Sequence, residues 1–174
     1  MFSKSKNDLG FTMVEILVVL VIIIALAMFV IGGYSEGRPR LAVERTAESF
    51  IMDLYRVRGR GFYSSLYHDG GSLIEGNYGI KINKNERKYT IFIKDGSSDV
   101  VVEEIELEGL VKILKIEKSV SVNEVAVLFS SDKKVYFDDS LASGNIKITF
   151  SSETDDDIKR VIIINSSGVA EIVY

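Results

Sequence analysis

Positions 11–31 form a run of twenty-one residues in which only Thr12 and Glu15 are polar. A helix of that length measures roughly 30 Å, the thickness of a bilayer hydrocarbon core. The pattern therefore predicts an apolar helix long enough to span. Glu15 is its oddity: a carboxylate near the start of a membrane helix costs on the order of a few kcal/mol unless it is protonated, paired or close to the interface. After Ile31, three Gly and one Pro in the eight residues Gly32–Pro39 mark a break or soft joint. From Arg40 the pattern changes. Val43, Ala47, Phe50, Ile51, Leu54 and Val57 recur at spacings of three and four, so they share one face of a second, amphipathic helix. Arg56, Arg58 and Arg60 sit near its C-terminal end, where cations suit the helix dipole, and Gly59 and Gly61 end it.

Beyond residue 62 the period shortens. Residues 62–77 read as a loop, with a short strand around Tyr63–Tyr67. Strands are then predicted at Tyr78–Asn83, Lys88–Lys94, Val100–Leu107, Val111–Ile116, Val120–Val122, Val125–Phe129, Lys134–Phe137, Asn145–Phe150, Asp157–Ile164 and Val169–Tyr174. Lys84-Asn85-Glu86-Arg87 and Asn165-Ser166-Ser167-Gly168 read as hairpin turns. Short β-branched strands between turn clusters argue for an antiparallel sandwich or a strongly curved sheet. The fold class expected is α+β: a long N-terminal helix, half spanning and half amphipathic, packed on a C-terminal antiparallel β domain. The divisions expected are 1–10, 11–31, 32–61 and 62–174.

Charge and composition narrow the chemistry. The 174 residues carry 21 basic and 25 acidic side chains, net −4, without the basic excess of a nucleic-acid binder. There is no Cys and one His, His68, which leaves no Cys-based or multi-His metal site. His68 beside Asp69 lacks a nucleophile in reach by motif and reads as a surface loop residue. Asp155, Asp156 and Asp157, near Glu153, are a candidate Ca²⁺ cluster because hard cations take several carboxylates. The stretch lacks the Gly-punctuated ligand spacing of a Ca²⁺ loop, so a solvated turn is the preferred reading. No catalytic motif is legible, and neither an enzyme activity nor a cofactor is expected.

The junction Gly10-Phe11-Thr12-Met13-Val14-Glu15, directly before the apolar run, resembles the N-terminal signature of type IV pilins and pseudopilins. That resemblance implies cutting after Gly10 by a prepilin peptidase and N-methylation of the new amine on Phe11. Glu15 falls on the family's assembly glutamate, and relatives often break the helix with a Pro where this chain has Gly32-Gly33. The β region and the hairpin 160–169 look like those of H-type (GspH/FimT-like) minor pseudopilins, and like competence pseudopilins.

The resemblance implies a structural subunit with three protein partners: the peptidase, other pilin or pseudopilin subunits in a helical filament, and an assembly-platform membrane protein. Membrane lipid would surround it before assembly. The leader side chains sum to +1, which keeps the N-terminus in the cytoplasm. The location expected is thus single-pass in the bacterial cytoplasmic (inner) membrane, with the C-terminal domain outside, and later a filament. In that filament Glu15 would neutralise the Phe11 amine of a neighbour. Three other readings stay open: a cleaved secretory signal ending at Ala25-Leu26-Ala27, a plain signal-anchor, and a membrane-anchored module whose β domain grips DNA or a secreted protein.

Overall fold

The computed structural model describes residues 12–63, 66–69, 72–96 and 98–173; within these, the side chains of 29–36, 68–69 and 72–73 are not described. Helical residues run Met13–Phe62 (α1), with Pro39 inside. The chain divides there into two compact units, Met1–Arg38 and Pro39–Tyr174. Proline has no N–H to donate and its ring crowds the preceding turn, which makes Pro39 a natural seam.

Two expectations are corrected at this point. The fold is not one long N-terminal helix packed on a β domain. The helical residues fall into two shorter segments, 13–38 and 39–62, in separate units, and the greater part of the chain is antiparallel sheet. Single-pass anchoring in the inner membrane is overturned as well: among the described residues no helix is long and apolar enough to cross a membrane.

In chain order the strands begin β1 (Tyr67–Asp69), β2 (Ser72–Ile74), β3 (Asn77–Asn83), β4 (Lys88–Asp95), β5 (Ser98–Glu106), β6 (Val111–Lys118) and β7 (Val120–Val122). They continue as β8 (Glu124–Phe129), β9 (Val135–Phe137), β10 (Ser140–Leu141), β11 (Asn145–Ser152), β12 (Lys159–Asn165) and β13 (Ala170–Val173). Six form one sheet in the order β10-β9-β8-β3-β4-β5, and five form another in the order β13-β12-β11-β6-β7. β1 and β2 pair as a separate ribbon inside the stretch expected to be a loop.

The second helical segment shares one core with both sheets. Val43, Ala47, Phe50, Leu54 and Val57 are buried, and Ile51 packs against the same cluster. The Phe50 ring meets Tyr89 of β4 edge-on at 5.2 Å and tilts against Phe150 of β11 at 5.6 Å. One helical side chain therefore touches both sheets. Polar contacts fix the helix at its flanks. Tyr89 donates its hydroxyl to Asp53 Oδ2 at 2.6 Å, and Tyr55 donates to the Ala170 carbonyl at 2.9 Å. Burial, helped by the Asp53 carboxylate, pushes the Tyr89 hydroxyl far above its usual pKa of 10.0.

Candidate assembly surface

The first helical segment opens on a reciprocal cap. The Glu15 N–H donates to Thr12 Oγ1 at 3.2 Å, and the Thr12 N–H donates to Glu15 Oε2 at 3.4 Å. Two amides that the helix start leaves without partners are thereby satisfied, and the acidic side chain lies at the positive end of the helix dipole. The Thr12-x-x-Glu15 spacing that encodes this capping box stands in the sequence. It gives Glu15 a local role that reading the residue as an isolated buried charge misses.

Beyond the cap, Ile16 to Met28 carries no charged or hydrogen-bonding side chain. From Ile16 to Leu26 the large apolar side chains are each between 50 % and 61 % exposed. No side of the helix is spared, so there is no polar face to turn toward water. A helix apolar on all sides is a helix that is buried on all sides. Val14, Ile16, Val18, Val19, Val21, Ile22, Ile23 and Ile24 are β-branched, which lowers intrinsic helix propensity. Packing must supply the stability that propensity does not. Covering such side chains is worth on the order of 1 kcal/mol each. Gly10 and Phe11, the expected cleavage junction, and residues 1–10 lie outside the described residues.

The other candidates are placed as follows. Asp155, Asp156 and Asp157 lie in the turn before β12. Asp155 Oδ1 accepts from the Asp157 N–H at 2.9 Å, and Asp156 pairs with Lys112 at 2.8 Å. Among the described residues no group of three His, Asp or Glu side chains is placed to hold a metal ion. The backbone of His68 and Asp69 belongs to β1, with the side chains outside the described set. Two of the three arginines have partners among the described residues. Arg56 meets Asp53 at 2.8 Å and Glu103 of β5 at 2.9 Å, and the Arg58 guanidinium stacks over the Phe62 ring at 5.2 Å.

No family model, no curated protein and no solved structure matches the chain.

Proposed function

We propose that this chain is a pilin-like structural subunit that assembles with copies of itself or with related subunits into a helical filament. The apolar helix lies in the filament core. The observation that carries this reading is exposure on every side of residues 16–26. A single partner helix covers one face, whereas a bundle of neighbours related by helical symmetry covers all of them. The Gly10-Phe11 junction supports a maturation step in which a prepilin peptidase removes residues 1–10. The new Phe11 amine is then positively charged and four residues from Glu15. In a low-dielectric core a carboxylate without a partner is penalised, and pairing with a neighbour's amine relieves that cost and sets axial register.

Mass spectrometry of the mature N-terminus tests the maturation step. The expected product begins at Phe11 with an N-methyl group. A start at Met28 would signify signal-peptidase cleavage and an intact Met1 no cleavage, and either result overturns the reading. Gly10→Val should block cutting, because a branched side chain crowds a protease subsite shaped for Gly.

A further inference from the structure

We infer that the β unit carries a head-to-tail docking contact for a second copy of this chain: a lysine-rimmed face of the five-stranded sheet receives the acidic end of β5. The inference rests on the filament reading and deepens it, since it says how the β units of successive subunits would meet.

The receiving face is set by strand alternation. Ile146, Ile148, Ile162 and Ile164 point into the core, so their neighbours point outward. Register places Lys147 opposite Ile163, Thr149 opposite Val161, Ser151 opposite Lys159 and Val161 opposite Val173. The result is a patch of Val161, Ile163 and Val173, the last 42 % exposed, flanked by Lys147 and Lys159. Lys112 and Lys115 stand on the same face but are engaged by Asp156 and Glu117, at 2.8 and 2.7 Å. Glu117 stands on this face opposite Lys147, and Glu171 opposite Ile163. Lys147 and Lys159 are exposed, and among the described residues neither has an acidic partner within 4.0 Å. An apolar centre with a charged rim is the anatomy of a protein interface.

The docking element lies at the edge of the other sheet. β5 is an edge strand, and the turn 107–110 carries the chain from it to β6. The upstream acids of β5 are occupied: Asp99 by Lys81 at 2.7 Å, Glu103 by Arg56 at 2.9 Å and Glu104 by Lys88 at 2.7 Å. Glu106 and Glu108 are exposed, and among the described residues neither has a basic partner within 4.0 Å. Glu106 stands on the rim of an open cavity of about 680 Å³, whose Arg87 is already neutralised by Glu153 at 2.8 Å. Leu110, 39 % exposed, sits beside the two acids.

Two cations outside any ion pair within 4.0 Å flank apolar residues on one sheet, with Glu117 across the ladder from Lys147, and they match two anions outside any such pair beside an apolar residue on the edge of the other sheet, with Lys88 across the ladder from Glu106. The two patches are different surfaces of one unit. A contact between them is heterologous, and repetition of a heterologous contact builds an open filament rather than a closed dimer. Opposite charges at the rim act mainly on register and on the rate of encounter.

The test uses the full chain, assembled by removal of detergent and read by sedimentation. The chain has no Cys, so Leu20→Cys reports helix–helix contact by crosslinking without interference. One variant carries Lys147→Glu with Lys159→Glu; another carries Glu106→Lys with Glu108→Lys. Each alone should lower sedimentable assembly by about tenfold or more. An equal mixture of the two should recover most of it, because every junction between unlike copies regains opposite charges. Wild-type assembly should also weaken as salt rises from about 0.05 M to about 0.5 M, through screening of rim charges. If Leu20→Cys crosslinks in the wild type and both reversals assemble normally, the docking contact is wrong and the filament reading stands. If single reversals fail and their mixture does not recover, the two patches do not meet. If Leu20→Cys never crosslinks in the wild type, the filament reading itself falls.

Discussion

Gly168 closes the hairpin between β12 and β13 with φ +70°, a conformation that any L side chain adopts only under strain. A Cβ built there would lie 2.5 Å from the Phe129 ring, inside the core rather than in solvent. Gly168→Ala should therefore destabilise by about 2–3 kcal/mol, the combined cost of backbone strain and overpacking. Urea denaturation checks this, and a loss below about 0.5 kcal/mol would show that the turn relaxes. Tyr89 offers a second test, with a pH signature. Its raised folded-state pKa means that the folded chain holds the phenol proton longer than the unfolded one. The resulting stability is fully present below pH 10 and is lost as pH climbs above 10 towards the folded value. Tyr89→Phe should cost about 1–2 kcal/mol at neutral pH, from the lost hydrogen bond to Asp53. The gap between variant and wild type should narrow in unfolding curves taken above pH 10. A gap that stays constant there would overturn the assignment.

At the scale of elements, the two roles of Glu15 separate by substitution. The capping box needs an acceptor at this position, which Gln supplies as well as Glu. Neutralising an amine needs a charge, which Gln lacks. On the proposed maturation and assembly, Glu15→Ala should leave removal of residues 1–10 intact, because the residue lies beyond the proposed cut, and should sharply reduce assembly with copies of the chain or related subunits. Glu15→Gln should fall between the two. Crosslinking beside a cleavage assay on the same strains decides it; wild-type assembly of Glu15→Gln would reduce the residue to a cap, and wild-type assembly of Glu15→Ala would remove its role altogether. The sequence announced the amphipathic face of the second helical segment and the hairpins 78–94 and 157–174, because long runs with a fixed period carry that signal. β1, β2 and β10 have three, three and two residues, too few for any period to register. Register shifts at Ile91/Phe92 and Thr149/Phe150 also break the alternation mid-strand. Phe92 and Leu128 are also buried against expectation from a simple two-residue repeat, and both lie opposite Gly79, which has no side chain to fill that side. Which strands share a sheet was not legible at all, since β3 pairs with β8, and β6 with β11, across long loops of sequence. The capping partner of Glu15 was legible, in the Thr at position 12.

For the whole molecule the seam at Pro39 is the feature with the most consequence. Every residue of the hydrophobic core, from Ala42 to Ala170, lies in the second unit. Removing residues 1–38 therefore removes none of the described core residues, and it takes away the exposed apolar side chains of the first helical segment. A fragment 39–174 should be soluble and monomeric at micromolar concentration and should unfold in one cooperative step. Its far-UV spectrum should be that of β structure with one helix. The charged rim contact between β units does not oppose this. Rim charges alone bind weakly, and in a filament they act at the high local concentration that the packed helices impose. Cutting further, to 63–174, should abolish folding. Phe50 would be missing from between Tyr89 and Phe150, and Val43, Ala47, Leu54 and Val57 would no longer cover the inner faces of both sheets. Losing even one large core side chain costs about 2–5 kcal/mol, and most domains have only about 5–15 kcal/mol in total. Circular dichroism and sedimentation of the two fragments decide the matter together. Aggregation of 39–174, or a spectrum dominated by helix, would place structural contacts upstream of Pro39. A cooperatively folded 63–174 would mean that the two sheets need no helix between them, and that Phe50 and its neighbours fill a core that closes without them.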